Sequence, residues 1–175
     1  MRIVAGSARG RRLRAPRGGG LRPTSDRVRE AVFATLVSDG AVEGARVVDL
    51  FAGTGALGIE ALSRGSANAT FVDSDPEAVD TVRANLEATG LTGRATIVRA
   101  DALAFVARDL EPFDLALVDP PYAFAAWPAL LARLPARLAV LESDRALELG
   151  PRWRTTKQKR YGDTVVTLAA VRLDE

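Results

Sequence analysis

From Ala45 onward the apolar residues fall into short dense runs separated by stretches of helical spacing. Residues 46–51 (Arg-Val-Val-Asp-Leu-Phe) read as a buried strand, and residues 56–64 have helix-forming composition. Residues 69–73 form a second strand. Asp75 before Pro76 supplies an N-cap and a proline suited to the first helical position. Val79, Val82 and Leu86 then recur at helical spacing until Gly90 stops the helix. A third strand follows at 94–99, a short helix at 102–109, a fourth strand at 114–118, a helix at 127–134 and a fifth strand at 138–142. The ending differs: 153–161 and 164–173 are two extended runs about Gly162-Asp163. Glycine at the first central position of a two-residue connection favours a type II′ hairpin.

The first forty residues carry another pattern. Residues 1–7 predict a short strand, with 11–15 as its partner across a turn near Gly10. Gly18-Gly19-Gly20 reads as a flexible loop. Thr24, Ser25 and Asp26 offer N-caps for a helix to about Val37, whose Val28, Val32, Thr35 and Leu36 place one face on a core. The expected division is thus a basic extension over 1–40, a short hairpin plus a helix, and a main domain over 41–175. That domain belongs to the α/β class: a mostly parallel twisted sheet with helices on both faces, closed by an antiparallel hairpin.

Charge sharpens the division. Residues 1–29 hold nine arginines against one acid, Asp26, a local net of +8 in a chain of net +2, so the remainder carries −6. A second basic cluster comprises Arg152, Arg154, Lys157, Lys159 and Arg160. Two basic segments on an acidic body form an electrostatic footprint for a polyanion, and nucleic acid is the expected partner. The chain has neither cysteine nor histidine. Thiolate and imidazole metal sites, disulfides and Ser-His-Asp chemistry are therefore excluded, and no metal is expected. With no apolar run of membrane-span length and no signal-peptide pattern at the start, the expectation is a cytoplasmic protein with no membrane partner.

Asp49-Leu-Phe-Ala-Gly-Thr-Gly-Ala-Leu-Gly58 contains a G-x-G-x-x-G at Gly53, Gly55 and Gly58, between a strand and a helix. The first two glycines let the chain turn sharply and approach a ligand without a Cβ in the way. The loop alone suits NAD, FAD or S-adenosylmethionine. Asp73 closes the next strand, where a carboxylate can accept hydrogen bonds from both hydroxyls of an adenosine ribose. Asp101 closes the third strand, where a carboxylate followed by a backbone N–H can read an adenine edge.

Val118-Asp119-Pro120-Pro121-Tyr122 stands at the carboxyl end of the fourth strand, where open α/β sheets bind ligands. The prolines stiffen the backbone and remove two N–H donors, leaving carbonyls free to point at one spot. A carboxylate, a carbonyl and an aromatic ring there form a receptor for an amine on a flat base. The acceptors orient the amine lone pair, and charge forming on nitrogen is stabilised electrostatically. The motif suits adenine and cytosine amines of DNA as well, although 175 residues leave no room for a separate target-recognition domain. The same residues also admit a non-catalytic RNA-binding assembly factor and a nucleotide-dependent oxidoreductase. Intact Asp119-Pro-Pro-Tyr122 argues against the first, and the absence of histidine against the second.

Taken together, the glycine loop, Asp73 and Asp-Pro-Pro-Tyr resemble an amino-methyltransferase of the Rossmann-like class I S-adenosylmethionine-dependent fold. Four segments narrow the resemblance to the RsmD family of bacterial small-subunit ribosomal RNA guanine methyltransferases. They are Met1-Arg-Ile-Val-Ala-Gly-Ser-Ala-Arg-Gly-Arg-Arg-Leu13, Leu21-Arg-Pro-Thr-Ser-Asp-Arg-Val-Arg-Glu30, Phe51-Ala-Gly-Thr-Gly-Ala-Leu-Gly-Ile-Glu-Ala-Leu-Ser-Arg-Gly65 and Lys159-Arg-Tyr-Gly-Asp-Thr164. The resemblance implies methylation of the N2 amine of one guanine of 16S ribosomal RNA, within a partly assembled small subunit, by a monomer. It implies S-adenosylmethionine bound by Asp49, Phe51, Gly53, Gly55, Asp73, Ser74, Asp101 and Ala102. Asp119, Pro120, Pro121 and Tyr122 are implied to hold the guanine, with Tyr122 replacing the phenylalanine of many relatives and keeping its stacking face. Arg2, Arg9, Arg11, Arg12, Arg14, Arg22 and Arg27 are the expected RNA contacts.

Overall fold

The computed structural model describes residues 1–17 and 24–173. The expected Gly18–Gly20 loop and Arg22 lie outside these residues. Among the described residues five α-helices, α1 (Asp26–Ser38), α2 (Ala56–Ser63), α3 (Pro76–Thr89), α4 (Ala102–Val106) and α5 (Trp127–Arg133), accompany seven strands. The strands are β1 (Arg46–Leu50), β2 (Asn68–Asp73), β3 (Ala95–Arg99), β4 (Phe113–Val118), β5 (Ala136–Ser143), β6 (Trp153–Tyr161) and β7 (Thr164–Val171). They form one sheet in the order β3-β2-β1-β4-β5-β7-β6. The first five run parallel, and β7 enters antiparallel between β5 and β6.

Both faces of a parallel sheet must be covered, which is why its strands are apolar at successive positions. On one face Val47, Phe71, Leu115, Leu117, Val140 and Val166 pack under the N-terminal segment and α1 to α3. On the other, Val48, Leu50, Val72, Val118 and Leu141 pack under α4 and α5. Local signals set the helix ends. Ser25 accepts the Val28 N–H, Asp75 accepts the Glu77 N–H ahead of Pro76, and Gly90 closes α3 at φ 72°. Gly162 opens the hairpin turn at φ 58°, and among the described residues Phe51 is the sole non-glycine at positive φ. Asp163 therefore keeps negative φ, as a type II′ turn requires.

Two expectations need correction. The helix expected over 102–109 stops at Val106. The strand pair at the amino end shrinks to a single antiparallel bridge, Arg2 with Arg12. The reason is competition for backbone groups. Val4 and Ala5 N–H donate to the Glu60 carboxylate at 2.9 and 3.2 Å, and Ala8 N–H to Ser63 Oγ at 2.9 Å. Asn85, wholly buried, accepts the Arg14 N–H at 2.8 Å and donates to the Arg14 carbonyl at 3.0 Å. The segment is thus clamped to α2 and α3 instead of pairing along its length with itself. Ile3, Ala8 and Leu13 enter the same core as Val32, Phe33 and Leu36 of α1.

Candidate active site

Strand order reverses between β1 and β4, which are neighbours although α2, β2, α3, β3 and α4 lie between them in sequence. A crevice opens outside the carboxyl ends of strands at such a point. Here it is a cavity of about 750 Å³. Its walls come from the amino end, the loops after β1, β2 and β4, the end of β5 and the β6–β7 hairpin.

The β1 loop is built around two carboxylates. Asp49 lies buried beneath α2 and accepts the Gly58 N–H at 2.9 Å. Burial pushes its carboxyl well above the usual range, with Asp119 and Asp73 adding to the rise. Phe51 sits at φ 58°, a conformation costly for an aromatic residue. Its ring meets Phe124 edge-on at 5.1 Å, and Phe124 meets Trp127 at 5.4 Å, so strand end and β4 loop are fixed together. Gly53 N–H donates to Asp73 Oδ2 at 2.9 Å, and Asp75 N–H to Asp73 Oδ1 at 2.9 Å. Asp73 therefore ties the two loops, and each of its oxygens retains a second acceptor site.

The three glycines divide the work. Gly53 lines the cavity. Gly55 does not: at φ 79° a Cβ there would meet Ile59 and Val82 at 3.3 Å, on the core side. Gly58 lets α2 lie against β2, because a Cβ would stand 2.4 Å from the Phe71 ring. Asp49, Phe51, Asp73, Ser74, Asp119, Pro120, Pro121 and Tyr122 all border the cavity, whereas Asp101 and Ala102 do not. Asp101 instead caps α4 by accepting the Ala104 N–H at 3.0 Å.

At the end of β4 the Asp119 carboxyl is enclosed and pushed up to about 6 by burial, against the lowering effect of hydrogen bonds from Thr24 and Glu142. Tyr122 is fixed from its far end by a 2.9 Å hydrogen bond between its hydroxyl and that of Thr164. Two residues that sequence reading did not single out for the site complete it. The Thr24 hydroxyl stands 3.1 Å from Asp119 Oδ2 and 2.8 Å from Glu142 Oε2. Glu142 is 4 % exposed and lines the cavity. Burial and the nearby Asp119 charge push its carboxyl well above the usual range. The sequence held a trace of both: Thr24 lies in the Arg-Pro-Thr-Ser segment, and Glu142 follows an apolar run as Asp119 does. Val118 is in register with Leu141, so the two acids emerge side by side.

Basic residues of the amino end lie at the surface. Arg2, Arg9, Arg11, Arg12, Arg14 and Arg27 are exposed. On β6, Lys157 Nζ donates to Thr35 Oγ1 at 3.0 Å, which sets that basic strand beside α1 and hence on the same side as the N-terminal arginines. Arg29 leaves the footprint: it is fully buried and ion-paired to Glu60 and Asp26, each at 3.0 Å, and it also donates to the Arg2 carbonyl. Among the described residues no helix is long and apolar enough to cross a membrane.

Residues 1–170 match the family described as conserved hypothetical protein 95. The ribosomal RNA small subunit methyltransferase D of Haemophilus influenzae is 32% identical over 174 residues, spanning 93% of this chain and 89% of that protein. Its namesake from Escherichia coli is 43% identical over 122 residues, spanning 70% of this chain and 60% of that protein. Among solved structures, the Escherichia coli protein yhhF superposes with a TM-score of 0.87 at 34% identity and 99% coverage of each chain. The fold is that of the class I S-adenosylmethionine-dependent methyltransferases. With the family match running almost end to end, the chain belongs to the conserved hypothetical protein 95 family, the RsmD family of small-subunit ribosomal RNA methyltransferases.

Proposed function

We propose that this chain transfers a methyl group from S-adenosylmethionine to the N2 amine of a guanine in 16S ribosomal RNA. The observation that carries the reading is that Asp119, Pro120 and Tyr122 border the same cavity as Gly53 and Asp73. One cavity thus brings together the residues read as an amine receptor and the carboxylate read as a ribose ligand.

The residues present fit the cofactor. A cavity of about 750 Å³ is of the size that small-molecule cofactors occupy. Asp73 has acceptor sites left for ribose hydroxyls, and Gly53 keeps the loop free of a side chain. Asp73, Asp75 and Asp119 make the lining acidic, which suits a cation. When bound, S-adenosylmethionine supplies a methyl group on a positively charged sulfur. Phe51 and Ser74 complete its enclosure, while Gly55, Asp101 and Ala102 shape the loops from outside the lining.

Asp119 and the Pro120 carbonyl accept the two amine hydrogens, which turns the nitrogen lone pair towards the methyl donor. Tyr122 stacks on the base. The Asp119 charge stabilises the cationic nitrogen as it forms, and the proton leaves after transfer. Pro121 holds the loop rigid. The target base must first leave its stack, at a cost of about a few kcal/mol. Residues 1–40 serve as the RNA-contacting extension, with Arg2, Arg9, Arg11, Arg12, Arg14 and Arg27 set against phosphates. The partner is 16S ribosomal RNA or the assembling small subunit, met by a monomer.

The test is transfer of radiolabelled methyl to small subunits purified from a strain lacking this gene, followed by nucleoside analysis. Label in N2-methylguanosine is expected. Label in a methylated adenosine or cytidine overturns the guanine assignment. Cofactor binding with no label in subunits, naked RNA or DNA overturns the catalytic reading.

A further inference from the structure

Glu142 Oε1 is a buried acceptor with no hydrogen-bond partner, on a residue that lines the cavity beside Asp119. A buried oxygen left unsatisfied is costly, and one on a residue of a cavity wall gains a partner when a ligand donor reaches it. Its companion Oε2 is already held by Thr24. The Thr24 hydroxyl has a single proton and lies between two carboxyl groups. It can donate to only one of them and must accept from the other. Burial pushes both carboxyls up, and the amine-holding role of Asp119 requires it ionised, which leaves the proton on Glu142 Oε2 and the Thr24 hydroxyl donating to Asp119 Oδ2. Asp119 stays ionised, and Glu142 Oε1 is left as a carbonyl-like acceptor.

We infer that Glu142 is the specificity-determining residue for guanine, its Oε1 accepting the ring N1–H next to the target amine, with Thr24 positioning it. The inference rests on the guanine-N2 reading above and supplies its discriminating contact. A guanine edge offers an amine flanked by a ring N–H, two donors that match two neighbouring acceptors. Adenine and cytosine offer an amine flanked by a bare ring nitrogen, which would set lone pair against lone pair at Oε1. A site with a buried acceptor rejects the partner lacking the hydrogen more strongly than shape alone can.

The test removes the N1–H from the substrate, together with the C6 oxygen, and the Glu142 variants isolate the share that belongs to the N1–H. 2-Aminopurine keeps the amine of guanine but has no N1–H. Small subunits are reconstituted with ribosomal RNA carrying either base at the methylated position, and kcat/KM is measured for wild type, Glu142→Met and Glu142→Gln. Wild type should prefer guanine by on the order of 100-fold. Glu142→Met should bring that preference to within about threefold of unity, chiefly by losing rate on guanine, with cofactor affinity unchanged. Glu142→Gln, whose amide N–H can donate to Thr24 while its oxygen faces the cavity, should restore most of the preference. Wild type that methylates both bases equally overturns the assignment even if the protein variants fail to fold. A preference that survives in Glu142→Met overturns it too. In both cases label in N2-methylguanosine leaves the underlying reading standing. Label from wild type in N6-methyladenosine overturns reading and inference together.

Discussion

Asp119 gives up hydration to reach the cavity, and that sets two opposed effects. Its carboxyl titrates at about 6 in the folded protein against an ordinary value of 3.8. As pH rises from 3.8 to 6 the unfolded chain loses this proton first, so the group's contribution turns against folding and stays unfavourable above pH 6. Asp119→Asn should therefore raise stability at neutral pH by up to about 3 kcal/mol, seen as a higher Tm that converges with wild type near pH 4. The ionised form is also the one that accepts the amine. In wild type kcat/KM should fall roughly tenfold per pH unit below about 6. Asp119→Ala should cut kcat by about 100-fold or more while cofactor affinity holds, as titration calorimetry would register. Near-normal turnover in that variant would remove the amine clamp from the mechanism.

Elements meet at positions where only one side chain, or none, fits. Gly58 brings α2 onto β2, and a methyl group there would stand 2.4 Å from the Phe71 ring. Gly58→Ala should cost about 1–3 kcal/mol in thermal unfolding, because a packed ring must move. Gly93, with nothing within 4 Å of an added Cβ, is the control and should shift Tm little when changed to alanine. Asn85 clamps Arg14 and also donates to the Thr54 carbonyl at 2.8 Å, joining the amino end to α3 and the glycine loop. Asn85→Leu leaves those backbone groups buried without partners. It should cost about 2–4 kcal/mol and free the first residues for proteolysis, both absent if the clamp were incidental.

On the scale of the whole molecule the charges separate: an acidic cavity and a basic amino-terminal surface. The arrangement draws a polyanion to that surface and a cation to the cavity. Arg11→Ala with Arg12→Ala should weaken RNA binding and reduce the slope of log affinity against log salt by about 1–2, leaving cofactor affinity untouched. An unchanged slope would place the RNA elsewhere. The Lys157–Thr35 contact adds the β6 edge to that basic side, and edge lysines also guard an exposed strand against pairing with another chain.

Much of this fold was legible beforehand because its signals are local. Dense apolar runs, period-3.6 patterns, Ser25, Asp75-Pro76, Gly90 and Gly162 specify elements within a few residues of themselves. Strand ends then place the glycine loop, Asp73 and Asp119-Pro-Pro-Tyr122 at one rim of the sheet, wherever the helices come to rest. Tertiary structure alone decided the rest, through contacts between residues far apart. Thr24 reaches Glu142 across 118 positions, Arg14 reaches Asn85 across 71, and Arg29 reaches Glu60 across 31. Each joins polar groups whose local pattern reads as cap, helix surface or basic arm. Burial changes their meaning, since a polar atom removed from water must find its partner inside, and only the packed chain determines which partner is near.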